Sequence, residues 1–255
     1  MIACLPMYAR PELDDASRNF WHLIRDNLRS SGMKAPDELN LKGNLMTVWT
    51  NPELVLSQTC GMPYRMFLHG KVNLIGAPDY GLENCPTGFY RSVIIAHRKD
   101  HRKKISEFSE SRFAYNEEYS HSGFAAPLNH ATELGFTLKI RIKSGSHANS
   151  AQMVANGQAE VAALDVVSWE LIKRYDSFAS QLKVVGWTAP PTPSLPFVTS
   201  VNNDPETVFS AIANAIQNLS PTDRDTLILR GIVKISPAQY LTVPNPTQEN
   251  ATPTR

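Results

Sequence analysis

Short apolar runs alternating with amphipathic helical segments constrain this chain most. Residues 2–5 read as a strand that a proline-flanked turn leads into a helix. In that helix Leu13, Ala16, Phe20, Leu23, Ile24 and Leu28 recur at steps of three and four, which gives one apolar face. Asp14 and Asp15 suit its first turn and Gly32 its end. Residues 53–57 and 72–75 read as strands with a short helix between them. After the β-branched run 91–96 the rhythm resumes: strand 112–115, helix from about 122, strand 138–142, helix from Ser146 ended by Gly157, strand 161–164, helix 166–175 and strand 182–187. Such alternation predicts βα units and mostly parallel sheets.

The four prolines at 190, 191, 193 and 196 predict a stiff extended crossover. Asp204 as N-cap and Pro205 at the first position open a further helix, with Val208, Ile212, Ile216 and Leu219 on its apolar face. The Pro/Thr/Asn-rich tail from Pro244 reads as frayed. The pattern divides the chain into two α/β lobes. One is discontinuous, residues 1–90 plus 190–255, and the other is residues 91–189. Two hinge crossovers, near Arg91 and Trp187, join them, with a ligand cleft between the lobes at the carboxyl ends of the strands.

A chain of 255 residues with 42% hydrophobic and 19% charged residues has the composition of an ordinary globular protein. Its net charge is +1, and the one basic run, residues 97–104, reads as the solvated surface of a turn. Nucleic acid is therefore not an expected partner. No apolar stretch approaches the roughly 18 residues of a membrane span. Residues 1–7 lack the features of a signal peptide, so the expected location is cytoplasmic if Met1 is the native start and periplasmic if a leader was trimmed. Cys4, Cys60 and Cys85 show no metal-ligand spacing, and no metal or cofactor is expected. Cys4 reads as a core residue. Cys60 and Cys85 sit in Gly/Pro-rich loops and would pair in an exported protein or stay reduced in the cytoplasm.

The chemistry gathers at the loops that follow strands. Ser120, His121, Ser122 and Gly123 open a helix whose start offers unpaired N–H groups, the positive end of the dipole, hydroxyls and a close approach at glycine. That combination suits an oxyanion. Ser and Gly at a helix start are more often ordinary N-caps than ligand sites, so plain N-capping is the other reading of the same residues. Pro127 lies just past the first turn and predicts a bent or shifted start. Ser144-Gly-Ser-His147 is a second Ser/Gly-rich helix start, where His147 is either a ligand contact or solvated. Tyr8 and Tyr64 are either ligand contacts or packing aromatics. Gln58 and Thr59 either bind or cap the short helix after them. Asp165 either binds or caps the helix from Val166.

These pieces together, Leu5-Pro-Met-Tyr8, Leu56-Ser-Gln-Thr-Cys-Gly61, Gly88-Phe-Tyr-Arg-Ser92, the segment from Asn116 to Pro127, Gly145-Ser-His147 and Val154-Ala-Asn-Gly-Gln-Ala-Glu-Val-Ala-Ala-Leu-Asp165, resemble the phosphate/phosphite/phosphonate substrate-binding proteins of ABC transporters. The resemblance covers residues 1 to about 240. It implies a two-lobe type II periplasmic-binding-protein fold. It implies that Ser120, His121, Ser122, Gly123 and His147 hold the oxyanion, that Tyr8 and the Gln58–Thr59 loop close over the ligand, and that Asp165 meets a ligand amine.

The function expected is capture of a small phosphorus oxyanion for ABC-type import. The protein would be a monomer whose partner is an ABC permease if it is exported; neutral hydroxyl and amide donors would hold the anion, with His147 supplying charge if protonated. Two other readings stay open. One is an enzyme on the same fold, with Cys60 or a serine as nucleophile and His121 or His147 as base, although no Gly-x-Ser-x-Gly elbow is present. The other is a cytoplasmic ligand sensor or regulator.

Overall fold

The computed structural model describes residues 1–40 and 43–247. The chain forms two compact units. Unit 1 is Met1–Phe89 with Pro193–Thr242. Unit 2 is Tyr90–Thr192 with Val243–Arg255, of which residues up to 247 are described. The two-residue strands β4 (Phe89–Tyr90) and β10 (Thr192–Pro193) fall at the points in sequence where the chain passes between units.

Unit 1 is built on a five-stranded sheet of β1 (Ile2–Cys4), β2 (Leu54–Gln58), β11 (Phe197–Ser200), β3 (Val72–Asp79) and β12 (Gly231–Val233), in that spatial order. Helix α1 (Asp14–Ser30) lies against α7 (Pro205–Asn218), and α7 in turn covers β3 and β12. Of the apolar stripe read from the sequence, Ala16, Phe20, Ile24 and Leu28 are buried in α1, while Leu23 is only partly buried and Trp21, outside that stripe, is buried too. Its end is a Schellman turn. Gly32, at φ 81°, donates its N–H to the Arg29 carbonyl, and Met33 N–H reaches the Leu28 carbonyl. Asp204 caps α7 by accepting from Thr207 N–H at 3.0 Å, with Pro205 at the first position. Shorter helices complete the unit: α2 (Leu45–Trp49), α3 (Gly61–Pro63), α8 (Pro221–Thr226) and α9 (Pro237–Leu241).

Unit 2 has its own five-stranded sheet, in the order β7 (Ile140–Lys143), β6 (Arg112–Tyr115), β8 (Val161–Asp165), β5 (Ser92–His97) and β9 (Leu182–Trp187). Its core has two parts. One joins Val93, Ile95, Ala162 and Leu164 to Trp169 and Ile172 of α6 (Val166–Tyr175). The other joins Ile94, Phe113, Val161 and Ala163 to Phe124 and Leu128. Alternate residues of β5 and β8 thus face opposite sides, as strands buried on both faces require.

The expectation of mostly parallel sheets is corrected. Both sheets are mixed: β11 runs antiparallel to β2 and β3, and β5 runs antiparallel to β8 and β9. The parallel pairs are β1 with β2 and β6 with β7 and β8. Strands reached by long returning connections are free to pair in either direction, and the local βα rhythm says nothing about them. Of the tail read as frayed, Pro244 is tied down, its carbonyl accepting from Asn129 Nδ2 at 2.9 Å. Residues 248–255 lie outside the described residues.

Candidate functional site

The parallel pairing of β6 and β7 places Tyr115 opposite Lys143, so both strands deliver their following loops to one edge of unit 2. The loops are sewn together there. Ser144 N–H donates to the Tyr115 carbonyl at 2.8 Å, and Gly145 N–H to the Asn116 carbonyl at 3.0 Å. Lys143 pairs with Glu117 at 2.6 Å and Glu118 at 2.8 Å, which pins the first loop. The two Ser/Gly-rich helix starts read separately from the sequence therefore emerge side by side.

The first of them begins one residue earlier than expected and is not α-helical. Residues His121–Ala125 form a π-helical turn, and the regular helix α4 (Ala126–Glu133) follows with Pro127 at its beginning. A proline lacks the N–H that a helix interior needs, so the turn before it is widened instead of continued. Ser120 is the N-cap, and its Oγ accepts from Gly123 N–H at 3.1 Å. Ser120, His121, Ser122 and Gly123 are all buried.

His147 opens α5 (His147–Ala155), which Ser146 caps by accepting from Asn149 N–H at 3.0 Å. Its Nε2 lies 2.9 Å from Ser122 Oγ. The residue is half-buried, its Nδ1 is out of reach of water, and the Ala163 carbonyl beside the ring lies outside hydrogen-bonding geometry, so Nδ1 has no hydrogen-bond partner among the described residues. Desolvation pushes the imidazole down to about 4, and the Ala163 carbonyl opposes this only in part. Near neutral pH the ring is therefore uncharged, and the charge it would supply if protonated is absent.

Glycine at 123 answers to space and not to backbone angle. A Cβ there would stand 2.0 Å from Asn116 Oδ1, 2.9 Å from Asn116 Cγ and 3.1 Å from His147 Cε1. His121 is held on its other side, with Nε2 at 3.0 Å from Thr192 Oγ1 and the Tyr90 ring centroid at 6.2 Å. Asn116 and Thr192, which the sequence reading passed over as turn and crossover residues, thus belong to this cluster.

Asp165 caps α6. It is buried, and one carboxylate oxygen accepts from Val167 N–H at 2.7 Å and Ser168 N–H at 3.3 Å. Asp165→Ala is expected to cost about 1–2 kcal/mol of stability, the usual worth of such a cap, read by urea denaturation. A loss within error would show that its caps contribute nothing.

The remaining expected residues lie in unit 1, where they separate. Gln58, at the end of β2, donates from Nε2 to Tyr80 Oη at 3.2 Å and to the Leu195 carbonyl at 3.1 Å. Tyr8 meets Tyr80 edge-on, with centroids 5.6 Å apart. Tyr8, Gln58 and Tyr80 line one cavity of this unit. Tyr80 escaped the sequence reading because nothing local marks it. Thr59 is buried beside them, its N–H donating to the Pro196 carbonyl at 3.0 Å, and does not line the cavity. Tyr64 is buried in the unit 1 core, edge-on to Tyr240 at 5.2 Å, and burial pushes its hydroxyl up to about 12.

Cys4, Cys60 and Cys85 form no disulfide. No group of acidic, His or Cys side chains among the described residues could hold a metal ion. No helix among them is long and apolar enough to cross a membrane.

No curated protein matches the chain by sequence. Among solved structures, it is similar to PhnD1 from Prochlorococcus marinus in complex with methylphosphonate, at 17% identity and a TM-score of 0.69, covering 94% of each chain. It is also similar to a binding protein component of an ABC phosphonate transporter from Pseudomonas aeruginosa, at 14% identity and a TM-score of 0.63, covering 94% of this chain and 83% of that one. A Xanthomonas citri protein bound to ATP is 14% identical, with a TM-score of 0.69 and coverage of 98% and 95%. At such identities these likenesses show the fold, a mixed α/β, two-lobe type II periplasmic-binding-protein fold. The family profile described as "ABC transporter, phosphonate, periplasmic substrate-binding protein" matches residues 57–240, well over half the chain. The protein belongs to the phosphonate substrate-binding family of ABC transporters.

Proposed function

We propose that this protein captures a small phosphorus oxyanion, phosphate- or phosphonate-like, with the helix start Ser120–Gly123 and His147 as its anion site, and delivers it to an ABC permease without chemical change. The observation that carries the reading is the Ser122–His147 pair at 2.9 Å on a buried, serine-capped helix start, in a chain of this family. A helix start favours negative charge through its unpaired N–H groups and its dipole. With His147 neutral, the anion is met by dipoles and hydroxyls. In the tautomer with the proton on Nε2, His147 donates to Ser122 Oγ and the serine proton is available to a ligand oxygen.

The same distance suits a nucleophile and its base, but the features around it favour binding. A base at pKa about 4 withdraws a serine proton poorly at neutral pH. No carboxylate orients Nδ1, which has no hydrogen-bond partner among the described residues.

Calorimetric titration with phosphate, phosphite, methylphosphonate and sulfate tests the reading. One phosphorus oxyanion is expected to bind and to raise Tm by mass action. Ser122→Ala is expected to weaken it about 10- to 100-fold, as loss of a hydrogen bond to a charged group does. If no phosphorus oxyanion binds the folded protein, or if Ser122→Ala binds as tightly as the parent, the anion site is wrong.

A further inference from the structure

The basic loop that leaves β5 concentrates the positive charge of the chain. Residues 98–104, Arg-Lys-Asp-His-Arg-Lys-Lys, hold five cations against one carboxylate. The whole chain is only +1, so the rest of it is net negative. The positive field therefore comes from one segment of unit 2 and gives the surface a direction.

That loop is fastened from behind. Arg98 N–H donates to the Gln181 carbonyl at 2.7 Å. Lys183 of β9 donates from Nζ to the carbonyls of Asp100 and Arg102, the second at 2.8 Å. Arg102 is turned inward. Its guanidinium meets the Asp100 carboxylate at 2.6 Å and Ser111 Oγ at 2.6 Å, and lies 4.0 Å from the centroid of the buried Phe108 ring. Glu107 accepts from Lys103 N–H and Lys104 N–H, each at 2.8 Å. Both nearby carboxylates, Asp100 and Glu107, are thus engaged in holding the backbone.

Four cations are left on the outside. Arg98, Lys99, Lys103 and Lys104 are exposed and form no ion pair among the described residues. Elsewhere Lys139, Lys143, Lys173 and Lys234 each pair with a glutamate. A solvated turn accounts for charge, but not for unpaired like charges kept close on a fixed backbone, where they repel one another. A fixed backbone also has little order left to lose on binding. The neighbouring apolar side chains, Ile105 and Phe108, are buried. The loop therefore lacks the aromatic or aliphatic anchor found at the centre of a protein interface, where lysine is depleted. A surface of phosphate headgroups needs no such anchor: it attracts Lys and Arg by charge alone.

We propose that the loop 98–104 docks this protein on an anionic phospholipid surface, by a peripheral and salt-sensitive contact.

The test is sedimentation of the full chain with vesicles of phosphatidylcholine alone and of an equal mixture with phosphatidylglycerol, with no oxyanion present. Binding is expected to the mixed vesicles only, at about 0.1 M salt, and to vanish at about 1 M, where the screening length falls to roughly 3 Å. Lys103→Gln/Lys104→Gln is expected to weaken partitioning about 20- to 30-fold, at about fivefold per cation removed. Lys34→Gln/Lys71→Gln removes the same charge from exposed lysines of unit 1 and is expected to leave partitioning unchanged. Melting curves check that both variants fold. Absence of binding to the mixed vesicles at the lower salt overturns the proposal. So does equal weakening by the two variants, which would assign the effect to net charge. Retention on polyglutamate but not on vesicles overturns it too and assigns the loop to an acidic protein surface. Because partitioning is read without an oxyanion, its outcome is separate from the function proposed above.

Discussion

Gly123→Ala is expected to abolish oxyanion binding and to cost about 1–3 kcal/mol of stability, the range seen when a packed site is overfilled. The new methyl would sit 2.0 Å from Asn116 Oδ1 and 2.9 Å from Asn116 Cγ, well inside contact distance. Asn116 has little freedom to withdraw. Its side chain is short, and its carbonyl holds Gly145 N–H at 3.0 Å. Relief must come from displacement of the loop, and that loop carries Ser120, His121 and Ser122. The serine cap on Gly123 N–H and the Ser122–His147 contact are then lost together. Calorimetry with methylphosphonate reads the binding, and urea denaturation reads the stability. The double variant Asn116→Ala/Gly123→Ala separates the causes: removal of the asparagine side chain relieves the closest clash, so the double variant is expected to be more stable than Gly123→Ala alone. A single variant as stable and as tight-binding as the parent would mean that the close approach has no consequence.

What was legible in the sequence follows from what is local. Asp165 before Val166–Tyr175 and Asp204 before Pro205 mark helix starts because a cap is read within three residues, and both are found capping. Pro127 foretold an irregular start near Ser122, and the π-helical turn is its outcome. The strand Leu182–Trp187 has the bounds its apolar run predicts. Sheet order was not legible, because Phe197–Ser200 inserts between β2 and β3 from more than a hundred residues away. The helix-start cluster was half legible. Ser120–Gly123 and His147 carry recognisable helix-start chemistry, whereas Asn116 and Thr192 enter only through contacts across 7 and 71 residues. Tyr80 joins Tyr8 and Gln58 in the same non-local way. The protonation state of His147 was open in the sequence for another reason: it depends on burial, and a ring whose Nδ1 is shut away from water is not recognisable as such from its neighbours in sequence.

That burial makes acid stability the second large effect. An unfolded histidine titrates near 6.5, while His147 in the folded protein is held down to about 4. Between those values the unfolded chain binds the proton and the native ring refuses it. Stability contributed here is therefore intact above about pH 6.5 and falls as the pH drops toward 4. At roughly 1.4 kcal/mol per unit, the loss reaches up to about 3 kcal/mol. Other groups titrate over the same range, so the observable is a difference: urea stability of the parent minus that of His147→Gln, taken from pH 8 to pH 4. That difference is expected to be level above pH 7 and to shift against the parent below it. Parallel curves would show that the ring titrates alike in both states and that its burial is immaterial. A bound oxyanion adds a sharper condition. Beside Ser122 it favours the imidazolium, raises the native pKa and, by linkage, diminishes the acid loss. Saturating methylphosphonate should then flatten the parent's difference curve. If the ligand binds and the curve keeps its slope, the anion lies away from His147, and Ser120–Gly123 would hold it without the histidine.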